Sequence, residues 1–207
     1  MSELFSRLGI DKHTEVVCYD QGSGMFVGRM WWMLRYLGHG KVRVLDGGFA
    51  AWQGLHLPCH TTSHPRPAAH FDAQPQASML CGVDEVLSHL GTGSQLIVDA
   101  RAPARYRGDE EPIDPRAGHI PGAVNRPFAS NFTPEGLFKP PEQLHREWMA
   151  LLMQRPLEQV VNQCGSGVSA CANMLALEIA GLPGSKLYAG SWSEWSQDLG
   201  RPIAVGV

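Results

Sequence analysis

The segment Val160-Val161-Asn162-Gln163-Cys164-Gly165-Ser166-Gly167-Val168-Ser169-Ala170-Cys171 holds the residues best placed to do chemistry. An apolar run breaks at a cysteine, passes two glycines spaced by one residue and becomes a helical pattern, which predicts a strand, a tight loop and a helix N-terminus. The Cys164 sulfur would then sit at the mouth of the loop. The first turn of a helix leaves its amides unpaired and partially positive, so the N–H groups of Gly165, Ser166, Gly167, Val168 and Ser169 can point inward at that sulfur. Such a cradle stabilises an anion, the form in which a cysteine reacts. It suits a thiolate that accepts a sulfur atom or attacks an electrophile. Gly165 and Gly167 permit positive φ and close backbone approach, and Ser166 and Ser169 place hydroxyls beside the site. A lone cysteine after a strand is often just a small buried apolar residue; the glycines and hydroxyls around Cys164 set it apart.

The elements that must position this loop occur twice. In the first copy a buried strand over 15–20 leads into Gln21-Gly22-Ser23-Gly24, an amphipathic helix over 25–37 stopped by Gly38, a strand over 42–45 and Gly47-Gly48-Phe49-Ala50-Ala51-Trp52. In the second, the Cys164 strand and loop lead into a helix over 168–180 stopped by Gly181, a strand Lys186-Leu187-Tyr188 and Gly190-Ser191-Trp192-Ser193-Glu194-Trp195. Asp20 then falls where Cys164 sits, and Trp52 where Trp195 sits. The chain reads as a duplication in which only the second copy keeps a nucleophile; the Asp20 carboxylate would cap its helix by accepting free amides. The second copy opens with Ser78 as cap of a helix over 83–90. A strand over 96–99, an irregular excursion over 103–118, a turn at His119-Ile120-Pro121-Gly122-Ala123 into a further strand, and a helix over 141–152 follow. This alternation predicts a mainly parallel α/β sheet with helices on both faces and ligands at the carboxyl ends of the strands.

Between the copies, residues 59–77 are rich in proline, histidine and small residues, a linker lying over the surface. His60, His64 and His70 lack metal-ligand spacing, and neither a metal nor a cofactor is called for. A length of 207 residues with 43% hydrophobic content supports a sizeable core. A formal charge of −3 provides no basic field for nucleic acid. No apolar run reaches the roughly 18 residues of a membrane span, and Met1-Ser2-Glu3-Leu4 does not open a signal peptide. Five cysteines, an odd number without CxxC spacing, argue against a disulfide framework or a zinc site and fit a reducing, cytoplasmic setting.

Cys164-Gly165-Ser166-Gly167-Val168-Ser169-Ala170-Cys171 resembles the active-site loop of 3-mercaptopyruvate sulfurtransferases in the rhodanese superfamily. Three further segments match in the same order: Val98-Asp99-Ala100-Arg101 with Arg105-Tyr106-Arg107-Gly108, then Gly118-His119-Ile120-Pro121-Gly122-Ala123, then Gly190-Ser191-Trp192-Ser193-Glu194-Trp195. The resemblance implies two rhodanese-like units: an inactive one over 1–58 and a catalytic one over 78–207. The first is expected to be incomplete, since nothing in it corresponds to 96–125; exposed sheet edges there would favour homo-oligomers.

The resemblance further implies a donor, 3-mercaptopyruvate or thiosulfate, that passes its sulfur to Cys164 as a persulfide, and a thiol, cyanide or thioredoxin-like acceptor. A loop without basic residues points to the keto-acid donor. Arg105 matches the family's substrate arginine, Arg116 stands where a second clamp would be, and guanidinium suits a donor carboxylate. Ser166 matches a serine assigned to proton transfer together with first-half residues that would lie upstream of Met1. Arg101 is expected to pair with Asp99, and His119, Trp192, Trp195 and Cys171 to support the fold. A phosphatase needs an arginine six residues after the cysteine; Ala170 stands there. The other rival is a non-catalytic sulfur carrier or interaction module.

Overall fold

A computed structural model describes residues 1–22 and 24–207; Ser23, in the loop predicted after the first strand, lies outside the described residues. The order is α1 (Ser2–Arg7), β1 (Val16–Cys18), α2 (Val27–Tyr36), β2 (Val42–Val44), α3 (Gly48–Gly54), β3 (Leu80–Cys81), α4 (Val83–His89), β4 (Leu96–Asp99), α5 (Pro103–Arg107), β5 (Val124–Asn125), α6 (Pro141–Leu152), β6 (Val160–Gln163), α7 (Ala170–Ile179), β7 (Lys186–Tyr188) and α8 (Ser191–Trp195). β1 and β2 form a parallel pair, and the other strands form a five-stranded parallel sheet in the order β3-β7-β6-β4-β5. The predicted α/β architecture is therefore present.

The central strand β6 is buried along its whole length, as an inner parallel strand covered on both faces should be. Val161 and Ile97 face a core with Val86, Tyr106, Ile120, Trp192 and Trp195. Val160 and Val98 face the opposite layer, where Leu144, Trp148 and Leu152 of α6 meet Ala176 and Leu177 of α7. Eight of the ten residues of α7 are buried, and a helix apolar all round must be covered all round. Its remaining side is covered by α2: Trp31 and Trp32 join Cys164, Ala170, Cys171, Met174 and Leu175 in one core.

Gly28 is what lets the two helices approach. A Cβ there would stand 2.8 Å from the Ala172 nitrogen and 2.9 Å from the Cys171 carbonyl carbon, closer than side-chain atoms pack against backbone.

Two details differ from the sequence reading. Ser78 does not cap the helix that follows; it lies in a short 3-10 turn, and Gly82 is the N-cap of α4. The intervening Leu80 and Cys81 are drawn into the sheet as β3, paired with Leu187 and Tyr188, a strand too short for hydrophobic periodicity to reveal. The linker also does more than cross the surface. Phe71 is buried against Phe5, ring centroids 5.0 Å apart, and its carbonyl and amide bond the Ser2 and Ser6 hydroxyls. His60, His64 and His70 are exposed.

Replacing Gly28 by alanine should cost about 1–3 kcal/mol of stability through overpacking at α2 and α7. A urea unfolding midpoint unchanged from wild type would show that the helices separate without cost.

Candidate active site

In a parallel sheet all carboxyl ends lie along one edge. Cys164 follows the last residue of β6, with Asp99 at the end of β4 and Ala100-Arg101 after it on one side, and Ala189-Gly190-Ser191 after β7 on the other. The turn after β7 folds back onto the cysteine. The Cys164 N–H donates to Ser191 Oγ (3.2 Å), whose own proton goes to the Tyr188 carbonyl (2.8 Å). The Trp192 and Ser193 amides donate to the Cys164 and Gly165 carbonyls (3.0 and 2.8 Å). Cys164 is in consequence 2% exposed, at the base of its loop and not at the mouth as predicted.

Gly167 has φ +72°, and a Cβ there would lie 2.5 Å from the Ala189 carbonyl oxygen. Both the left-handed backbone and the close approach demand glycine. Gly165 has no positive φ; its missing side chain leaves room for Arg105, whose Nη1 would be 3.4 Å from a Cβ.

The predicted cradle can be read against the Asp20 loop. There Oδ1 accepts the amides of Gly22 (2.8 Å) and Gly24 (3.3 Å), and Oδ2 those of Phe26 (3.2 Å) and Val27 (3.3 Å). Burial pushes the Asp20 carboxyl up, and the four amides more than offset this, leaving it below its ordinary value. In the Cys164 loop, the N–H groups of Gly165, Ser166, Gly167, Val168 and Ser169 have no acceptor among the described residues. The same strand–loop–helix frame thus wraps a carboxylate in one copy and, in the other, leaves five amides after Cys164 without an acceptor among the described residues.

Ser166 is exposed at the loop apex, and its hydroxyl makes no bond among the described residues. Val168 and Ser169 are half-buried at the start of α7, with Ser169 its N-cap.

Arg105, on α5, donates through Nη2 to Glu111 (2.6 Å) and Asp114 (3.0 Å), while its buried Nε has no partner. Glu111 is pushed up by burial and drawn down further by Arg105 and the amides of Asp114 and Ile113. Arg116 is not brought to the loop: its Nη1 and Nη2 donate to the carbonyls of Asp198 (2.7 Å) and Arg201 (2.9 Å), and Trp192 Nε1 fixes its carbonyl (2.9 Å). Those contacts turn its guanidinium onto the C-terminal segment.

Arg101 pairs with Asp99 through Nε and Nη2 and also donates to the Gly118 carbonyl (2.7 Å). His119 stacks on Tyr106 at 3.9 Å, with Nδ1 2.8 Å from the Tyr106 carbonyl. Cys171 lies in the core with its thiol on the Gly167 carbonyl (3.2 Å), pushed up by burial to about 12. Ser191 and Arg29, whose Nη1 reaches Gly167, were not singled out from sequence; their positions depend on which turn and helix fold back, which no local spacing encodes.

The rhodanese-like domain model matches residues 1–55 and 82–198. The chain belongs to the rhodanese family. It is 47% identical over 199 residues to a probable 3-mercaptopyruvate sulfurtransferase of Pseudomonas aeruginosa, covering 96% of this chain and 70% of that protein. It is 40% identical to the 3-mercaptopyruvate sulfurtransferase of Rattus norvegicus, covering 91% of this chain and 64% of that protein. The crystal structure of SseA from Escherichia coli, a 3-mercaptopyruvate sulfotransferase with the rhodanese fold, aligns at a TM-score of 0.76 and 33% identity over 92% of this chain and 72% of that one. The chain thus spans about two thirds of the length of these relatives. None of its described helices is long and apolar enough to cross a membrane.

Asp20→Asn should lower stability at neutral pH by about 0.5–1 kcal/mol, since a charged acceptor of part-buried helix amides is replaced by a neutral one. Because the folded carboxyl lies below its ordinary 3.8, the wild-type advantage is full above that value and disappears as pH falls through the lower folded one. Urea unfolding of both proteins at pH 7 and pH 3 checks this; an advantage that grows on acidification contradicts it.

Proposed function

We propose that the chain is a sulfurtransferase that moves a sulfane sulfur from 3-mercaptopyruvate to a thiophilic acceptor through a Cys164 persulfide. The observation that carries this reading is the set of five amides with no acceptor among the described residues on the loop beginning at Cys164, in a frame whose twin holds an anion with four. The relatives named for this reaction support it.

The Cys164 thiolate attacks the donor sulfur, the S–S bond forms and the donor's C–S bond breaks. The electron pair of that bond leaves on the carbon as the enolate of pyruvate, which takes up a proton to give pyruvate. Ser166, free at the loop apex, is the nearest candidate for moving that proton. An acceptor thiolate or cyanide then takes the outer sulfur and returns the Cys164 thiolate. Loop amides match the sulfur anion before and after transfer, so they stabilise charge without reorganising. Arg105, with Nη1 beside Gly165 and an unpartnered buried Nε, binds the donor carboxylate. Gly165, Gly167, Val168 and Ser169 supply the backbone donors.

In this reading residues 1–58 form a supporting rhodanese-like unit without a nucleophile, 59–77 a linker and 78–207 the catalytic unit. A cytoplasmic setting follows from the unpaired cysteines, with a thiol, cyanide or thioredoxin-like acceptor and self-association through exposed strand edges. Thiosulfate is the weaker donor because the loop from Cys164 to Ala170 contains no cation. Phosphatase chemistry is disfavoured by Ala170.

Incubation with 3-mercaptopyruvate should add one sulfur to the protein mass and release pyruvate, and Cys164→Ser should abolish both. No added sulfur on a folded wild-type chain would favour a non-catalytic carrier or interaction module. Arg105→Met should raise KM for 3-mercaptopyruvate by roughly tenfold or more through loss of a charge-assisted contact, read by pyruvate release against donor concentration.

A further inference from the structure

Two guanidinium groups stand at the ends of the Cys164 loop, Arg105 at Gly165 and Arg29 at Gly167. Arg29 belongs to α2, in the N-terminal part of the chain. Its Nη1 donates to the Gly167 carbonyl at 3.4 Å, and the Cys171 thiol donates to the same oxygen at 3.2 Å. Its Cζ lies 5.0 Å from the centroid of Trp32, which steers the guanidinium along the helix. The tight α2–α7 approach at Gly28 sets this reach.

The charges around the loop are unequal. Arg105 meets Glu111 and Asp114, and Arg101 meets Asp99 and Glu111, so two cations there face three carboxylates. Arg29 has no carboxylate within ion-pair distance among the described residues. Its charge is therefore the uncompensated one at the loop. In a trans peptide the carbonyl and the following N–H point in opposite directions. A donor that holds the Gly167 carbonyl consequently holds the Val168 N–H facing away from Arg29.

We propose that Arg29 is the positioning residue of the Cys164 loop, fixing the Gly167–Val168 peptide through its carbonyl and supplying the unpaired positive charge that draws an anionic reactant to the sulfur. This deepens the sulfurtransferase reading and rests on it for the identity of the reactant. The loop itself has no basic residue, and the N-terminal part of the chain lends it one.

The test separates charge from scaffolding by alkylating Cys164 with two reagents of similar shape, neutral iodoacetamide and anionic iodoacetate. Both are followed on the Cys164 peptide by mass, in a Cys59→Ser background that removes the exposed thiol. In Arg29→Met the iodoacetate-to-iodoacetamide rate ratio should fall roughly fivefold at low salt, and in Arg29→Lys it should stay near wild type. Added salt should lower the wild-type ratio toward that of Arg29→Met. Pyruvate release should fall in Arg29→Met and be largely restored in Arg29→Lys. A ratio unchanged in Arg29→Met, a wild-type ratio indifferent to salt, or a Cys164 that neither reagent reaches overturns the proposal; should Arg29→Met fail to fold, the ratio in Arg29→Gln against that in Arg29→Lys decides it. These rates need no sulfur transfer, so absence of persulfide in the wild type would sink the transferase reading without deciding the role of Arg29.

Discussion

A strand that turns directly into a helix leaves a row of backbone amides with nothing in the chain to bond them, and this molecule meets that constraint twice. Behind β1 the row closes on the Asp20 carboxylate, which accepts four amides and stays ionised despite partial burial. Behind β6 a cysteine replaces the carboxylate, and five amides remain without an acceptor among the described residues. A carboxylate so held is a satisfied cap; a sulfur in the same frame can exchange its bonding partner while the donors stay in place. The Asp20 loop thus displays the electrostatic preference on which the sulfurtransferase proposal for the Cys164 loop rests.

The burial of α7 ties the N-terminal part of the chain to this site. A helix apolar on every side must be enclosed, and with β6 and α6 on one side only α2 can close the other. The enclosure brings Arg29 within reach of Gly167 and places Trp31 and Trp32 in the same core as Cys164. The linker contributes through Phe71, which completes the core beneath α2 with Phe5, Leu34 and Leu37. Loss of the N-terminal core would therefore expose α7 and loosen the loop that starts it.

On the other flank, charge is held in place more than it is offered. Asp99, Arg101, Glu111, Arg105 and Asp114 form a continuous, mostly buried chain of ion pairs, and buried pairs fix geometry more reliably than they add stability. That network orients α5 and leaves Arg105 with one face at Gly165, while the cation–π contact of Arg101 with Trp192 at 4.7 Å joins it to the turn that closes on Cys164.

Much of this was legible in the chain itself. Apolar runs ending at Asp20 and Cys164, glycines after both, and the repeated order of elements determined a parallel α/β arrangement, the cysteine loop and the carboxylate that stands at its place in the first copy, because each depends on residues adjacent in sequence. The Asp99–Arg101 pair is two residues apart and was equally readable. What only the tertiary structure decided is long-range: the closure of Ser191 and Trp192 over Cys164, the turning of Arg116 onto the C-terminal carbonyls, the recruitment of Leu80 and Cys81 as an edge strand, and the arrival of Arg29 from 138 residues away. Spacing along the chain specifies which amides a loop exposes, whereas the groups that reach them depend on how helices and turns pack against one another.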